Sequence, residues 1–218
     1  MGMRLGETLS LVIFGESHAT GVGVLIEGIP PGIPIKLKSI EEDLERRKPG
    51  RKGLSQRSES DIPSILSGIH EDHSTGWPLV LFAKNSDVRS SDYDFLPDHP
   101  RPGHADLVEA IRSGGNADPR GGGSHSGRLT WGLVAAGSVV RPILDSVGCS
   151  VVAHMAAMGS DQTDDLSNLL SSELTENMAR LNCMDPVASE RFTKQIEILR
   201  KEKDSIGSRV DVLVQGLP

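Results

Sequence analysis

The chain has 218 residues, enough to bury a real core as one large domain or two small ones. Aromatic residues make up only 3% of it, so that core must be aliphatic and alanine-rich, and 24 glycines with 13 prolines imply many turns. A net charge of −7 argues against general affinity for nucleic acid or an acidic membrane, so any anion site must be a local patch of cations in a negative protein.

Cys149 and Cys183 stand far apart with no metal-type spacing and support no disulfide framework, which makes a reducing cytoplasm the natural compartment. The first apolar run, Leu9 to Phe14, is too short for a signal peptide, and no stretch is long enough to span a bilayer.

In chain order, Thr8 to Phe14 and Val22 to Gly28 read as two strands joined by a loop carrying Gly15-Glu16-Ser17-His18. Pro30-Pro31-Gly32 forces a turn. Ser39-Ile40-Glu41-Glu42 fits a capping box, so a helix is expected to start near Ser39 and to stop before Pro49-Gly50. Ile62 to His70 and Pro78 to Lys84 form a second strand pair, linked by a polar turn around Ser74-Thr75-Gly76. After a loop over 85–103, a short helix covers Ala105 to Arg112 and ends at Gly114-Gly115. Gly127 to Val147 is a long helix with a slim face at Ala135, Ala136, Gly137 and Ser138, kinked or ended by Pro142. Val151 to Met158 is a strand, 164–183 and 186–205 are polar helices, and Arg209 to Gln215 is a last strand. Paired strands followed by helices and strands indicate an α+β fold, here taken as a single domain over 1–218.

Four polar clusters could carry chemistry. Arg120-Gly121-Gly122-Gly123-Ser124-His125-Ser126-Gly127-Arg128 lets backbone approach a ligand closely and opens a helix whose N–H groups favour an anion. A flexible linker is the bland reading, but a linker does not usually open an apolar helix between two arginines. His18, on its glycine-bounded loop, can exchange protons near neutral pH, and on the motif alone an exposed loop histidine is an equal reading. Arg46, Arg47, Lys48, Arg51, Lys52 and Arg57 have no acidic residue between Glu45 and Glu59. They form either a solvated face or the wall of an electropositive pocket for a small anion. Arg101-Pro102-Gly103-His104-Ala105-Asp106 places His104 at a helix start, as a cap, a surface residue or a catalyst. There is no phosphate loop ending in Gly-Lys-Ser/Thr, no dinucleotide fingerprint and no nucleophile elbow. His70-Glu71-Asp72-His73 has the wrong spacing for a helical zinc site, so no metal is expected.

Together these motifs resemble the chorismate synthase family, in the family's own order from Leu5 to Gly137. They are Phe14 to His18 with Glu27 to Gly32, Arg46 to Gly50, Ser58 to Asp61, Leu66 to Gly68, Thr75-Gly76, Asn85 to Ser90 with Asp92-Tyr93, Arg101 to Asp106, and Asp118 to Thr130 with Ala135 to Gly137. The resemblance implies helices packed between antiparallel β-sheets and assembly as a homotetramer. It implies conversion of 5-enolpyruvylshikimate 3-phosphate to chorismate and phosphate, a trans-1,4 elimination that needs reduced FMN. NADPH enters only if the protein reduces its own flavin. By similarity His18 and His104 are catalytic, with His104 protonating the departing phosphate and His18 serving the flavin side. Arg47, Arg51 and Arg128 face the substrate, with Lys52 an alternative to Arg51. Ser124, His125, Ser126 and Arg120 lie against FMN.

The chain departs from the family pattern in places. Ala19 stands where glycine is usual, the segment Arg51 to Arg57 is one residue short, and Ser124-His125 replaces an Arg-Ser pair. Family sequences also run on beyond Pro218 with further FMN contacts, so the expected fold is an incomplete one. The alternative reading is a non-catalytic binding module.

Overall fold

The computed structural model describes residues 3–48, 61–86, 90–165 and 181–217. The chain divides into two compact units, Met1–Pro49 with Gln56–Ile143, and Gly50–Ser55 with Leu144–Pro218.

The first unit is built on strands β1 (Arg4–Leu5), β2 (Ser10–Gly15), β3 (Gly21–Glu27), β4 (Ser64–Ser67) and, after a small hairpin of β5 (Ile69–His70) and β6 (His73–Ser74), β7 (Leu79–Lys84). Their order in the sheet is β1-β2-β3-β7-β4, and every pairing is antiparallel. β3 lies at the centre, with Val24 opposite both Ile13 and Leu81. Strand alternation sends Val22, Val24 and Ile26 to one face, beside Leu79, Leu81 and Ala83 of β7. The same core takes Ile40 and Leu44 from helix α1 (Leu37–Arg47), and Trp131, Ala135, Ala136 and Val139 from helix α3 (Thr130–Ser146). Each fully buried Val or Leu there contributes roughly 1.5–3 kcal/mol.

On the other alternation of β3 stand Gly21 and Gly23, ahead of Leu25 and Glu27. A Cβ at either glycine would lie 2.4 Å from the ring of Phe82 or Phe14, respectively, so two of the chain's few aromatics cover the part of the strand that has no side chains on that face. Helix α2 (Asp106–Ser113) is short, buries no residue completely, and ends on Gly114 in the left-handed conformation (φ 60°), as its glycines indicate.

Several sequence expectations need correction. α1 starts two residues before Ser39: its N-cap is Lys36, without a side-chain cap, and the Ser39 N–H instead donates to the Lys36 carbonyl (3.1 Å). Buried Ile35, whose N–H donates to Asp72 O (2.7 Å), anchors the chain just ahead and sets the start. Pro142 does not end α3, which runs on to Ser146. The link before β7 is the β5–β6 hairpin, turning through Glu71 and Asp72 at positive φ, rather than one polar turn. The helix expected over 164–183 lies largely outside the described residues.

In the second unit β8 (Ser150–Met158) pairs with β9 (Asp161–Gln162) and β10 (Ser208–Gln215), in the order β10-β8-β9. Helix α4 (Pro186–Glu202) is capped by the Asp185 carboxylate, which accepts from the Val187 and Ala188 N–H groups (both 2.9 Å). Phe192 and Ala188 pack with Met158 and Cys183. The α+β class therefore holds, with antiparallel sheets and four α-helices among the described residues. No helix among the described residues is long and apolar enough to cross a membrane.

His154 of β8 is fully buried, and its neighbours fix its tautomer. Nδ1 accepts from the Met184 N–H (3.0 Å), so the proton sits on Nε2, which donates to Thr163 Oγ1 (3.0 Å). Burial pushes its pKa below the ordinary 6.5, against the opposing pull of Asp211 and Asp185. The unfolded chain thus takes up a proton near pH 6.5 that the folded unit refuses until lower pH, and stability falls as pH drops through that window. Hydrogen exchange at β8 and β10 should show this decline, and His154→Gln should flatten it.

Candidate active site

The first unit brings four distant segments together around two linked clusters. The loop after β2 needs Gly15 at φ 104°, where a Cβ would stand 2.3 Å from the Gly21 carbonyl oxygen. This turn delivers Ser17 and His18, both buried. The glycine loop covers them: Ser17 N–H donates to Gly123 O (3.1 Å), and Gly122 N–H donates to Ser17 Oγ (3.3 Å). A Cβ on Gly121 would stand 2.3 Å from His18 Nδ1, so only glycine permits this approach. The His18 ring also meets Tyr93 edge-on at 5.0 Å, and the Arg101 guanidinium lies over Tyr93 at 5.4 Å.

Arg101 then orders the second imidazole. It grips Asp106 through Nε (2.8 Å) and Nη2 (2.7 Å), donates its own N–H to the same carboxylate (2.9 Å), and reaches the Gly121 carbonyl through Nη2. Arg101 is thereby the main cause that holds the Asp106 carboxyl far below the ordinary carboxylate range. His104 Nδ1 lies 2.6 Å from Asp106 Oδ1. Arg101 Nη2 lies 3.2 Å from the same Nδ1, so this nitrogen is engaged by the Arg101–Asp106 pair, and Nε2 is the atom left for chemistry. Proline and glycine at 102–103, with the helix starting at Asp106, set this geometry locally.

The second cluster is a buried carboxylate between two guanidinium groups. Asp61, whose side chain has no exposed surface, accepts from Arg47 Nη1 (3.0 Å) and from Arg128 Nη1. Arg47 also donates through Nε to Thr130 Oγ1 (3.1 Å) and through Nη2 to Gly127 O (3.1 Å), which ties the end of α1 to the start of α3. Arg128 Nε donates to Asn85 Oδ1 (3.1 Å), and Asn85 Nδ2 donates to Glu16 O and Ala19 O, either side of His18. Trp131 Nε1 donates to the Asp61 carbonyl (3.3 Å). The two clusters therefore meet at the His18 loop.

Beside them lies a cavity of about 420 Å3 between α2 and the glycine loop, with Glu16, His104, Glu109, Asp118, Ser124 and His125 among the residues lining it. This volume is in the range of small-molecule sites. Three of the four wall carboxylates carry their own cations: Asp106 on Arg101, Glu109 on Arg112 and Asp118 on Arg120, whereas Glu16 has no ion pair among the described residues. Paired in this way, Asp118 is lowered chiefly by Arg120, and Glu109 is lowered to about 2 by Arg112 and then by His125.

The family model for chorismate synthase matches residues 9–218. The chain belongs to the chorismate synthase family. It is 40% identical to the chorismate synthase of Methanosarcina mazei over 100% of its own length and 59% of the relative's. It is 44% identical to that of Pyrococcus abyssi, over 98% of this chain and 59% of the relative. A crystal structure of chorismate synthase superposes with a TM-score of 0.71 at 24% identity, covering 97% of this chain and 60% of that one, so the fold is shared. The chain thus spans about 59% of the length of the curated relatives it matches.

Of the residues that the family motifs single out, the structure links His18 and His104 through Tyr93, Arg101 and Gly121. Ser124 and His125 line the cavity, and Arg120 flanks it through Asp118. The Ser126 hydroxyl accepts from the Arg128 N–H (3.3 Å) and shapes the entry to α3. Arg47 and Arg128 join on Asp61, with Arg128 buried. Arg51 lies outside the described residues. Sequence reasoning gave no role to Asp61, Asn85, Tyr93 or Glu109, although the first three sit inside motifs that carry the resemblance.

Asp61→Asn removes the charge that faces buried Arg128 and half-buried Arg47. It should destabilise the first unit by about 3–5 kcal/mol, measured by chemical denaturation. Gly121→Ala should displace His18, seen as a changed imidazole environment by NMR, with a smaller loss of stability of roughly 1–3 kcal/mol.

Proposed function

We propose that the chain carries the acid-base and anion-binding machinery of a chorismate synthase. The reaction is the trans-1,4 elimination of phosphate from 5-enolpyruvylshikimate 3-phosphate, dependent on reduced FMN and giving chorismate. The observation that carries this reading is the linkage of His18 and His104, 86 residues apart in sequence (104 minus 18), by one set of contacts beside a ligand-sized cavity in a chain of this family.

The cavity suits the cofactor: Gly122 and Gly123 present backbone without side chains, Ser124 and His125 add polar atoms, and the wall carboxylates of Asp106, Glu109 and Asp118 are already paired. Ser124, His125 and Arg120 would hold reduced FMN, and Ser126 would fix the loop that presents them. When bound, the reduced flavin supplies an electron transiently to the substrate. His104, with Nδ1–H tied to Asp106, would as an imidazolium hand a proton from Nε2 to the departing phosphate oxygen. Asp106, clamped by Arg101, keeps that ring from turning. His18, packed under Gly121 and against Tyr93, would hold the protonation state of the flavin side. Arg47 and Arg51 would take the substrate's anionic groups, while Arg128, acting through Asp61, fixes Arg47. The reading extends to one family domain over both units, with helices between antiparallel sheets, in a cytoplasmic homotetramer.

A second reading is binding without turnover. Anaerobic assay of phosphate release with reduced FMN, beside an FMN titration of the same protein, separates the two: binding without phosphate release supports the second. In protein that turns over, His104→Ala should lower kcat by a factor of about 100 to 10,000 while the thermal melt is kept; an unchanged rate removes His104 from the acid role.

A further inference from the structure

α2 presents two carboxylates to the cavity from successive turns, Asp106 and Glu109, and each does the same thing. Asp106 holds His104 and is itself gripped by Arg101. Glu109 holds His125 and is itself gripped by Arg112, through Nε at 2.7 Å and through Nη2. Positions three apart on a helix share one face, so the arrangement repeats along the wall.

The second copy is specific in its atoms. His125 Nε2 lies 2.9 Å from Glu109 Oε2. The carboxylate can only accept, so Nε2 carries the proton. Nδ1, which makes no hydrogen bond among the described residues, has a lone pair when the ring is neutral and an N–H when it is charged. A dianion can therefore be met at Nδ1 only with a proton taken up there. Both His104 and His125 line the cavity. The other charged groups lining the cavity with these two histidines are Asp106, Glu109 and Arg112 from α2, Glu16 from the loop after β2, and Asp118 just ahead of the glycine loop.

We propose that His125, oriented by Glu109 as a positioning residue, is a second anchor in this cavity for a phosphomonoester dianion, and that binding there is coupled to proton uptake at Nδ1. The proposal rests on the cavity being the ligand site described above. FMN and the proposed substrate are both phosphomonoesters, so the shared chemistry is the phosphoryl group.

Sulfate serves as a probe because it remains a dianion throughout the range. Titrated into the full chain between about pH 5.5 and pH 8, it should bind some 5- to 10-fold more tightly at the acid end, where imidazole is charged. His125→Phe should remove most of that gain and flatten the profile beyond what His104 contributes. Glu109→Ala should do the same, whereas Glu109→Gln, which still offers an accepting oxygen, should retain it. His125→Phe and Glu109→Ala profiles that overlay the wild type, or a Glu109→Gln profile as flat as that of Glu109→Ala, would overturn the proposal. The source of the phosphoryl group is read by comparing FMN with riboflavin and shikimate 3-phosphate with shikimate. The pair whose affinity ratio collapses in His125→Phe identifies it, and if neither ratio moves the phosphomonoester assignment is wrong. Wild-type chain that shows the His125-dependent sulfate effect but no FMN binding overturns the cofactor reading alone. FMN binding with no sulfate effect overturns this proposal alone.

Discussion

A single carboxylate with no exposed surface, Asp61, organises the first unit. Arg47 reaches it from the end of α1 and Arg128 from the start of α3, and its backbone carbonyl accepts from Trp131. A buried ion pair is weak evidence of net stability, because desolvation offsets much of the attraction. Its value here is geometric. Two guanidinium groups with fixed donor directions can share one carboxylate in few ways, so the ends of two helices and the loop bearing His18 are set relative to each other. Asp61 is itself held at φ 52°, a conformation that costs a non-glycine residue roughly 1–2 kcal/mol and persists because its surroundings demand it.

The same economy of charge runs through the unit. Asp43 is shared by Arg46 and Arg141, Asp106 grips Arg101, Glu109 grips Arg112, and Asp118 grips Arg120. Arg47, Arg101, Arg128 and Arg141 tie separate segments together, while Arg46, Arg112 and Arg120 pair within their own, and three of the four carboxylates of the cavity wall are balanced by a cation. In such a wall a ligand's negative groups meet imidazoles, whose charge responds to pH, as well as guanidinium groups, whose charge does not.

This explains which parts of the molecule could be read from residue order. The long strands and α2, α3 and α4 were legible because periodicity, proline and glycine act locally. The start of α1 was not, since Ile35 is anchored by Asp72, far along the chain. Two-residue strands such as β1 and β9 carry too little pattern to be seen. The basic run around Arg47 looked unopposed because the acids that meet it, Asp43, Glu45 and Asp61, all lie outside it. His18 and His104 were found through motif order; Glu109 was missed because a glutamate on a short, exposed helix looks like any solvated residue until His125 is placed against it.

Gly121 stands so close to the His18 ring that neither can shift without the other. The loop and the imidazole are in effect one mechanical part, joined by the bare backbone rather than by a bond. A guest that presses on residues 121–123 is therefore felt at His18 even if it never touches the ring, and the histidine's spectroscopic signal becomes a gauge of whether the neighbouring chamber is filled.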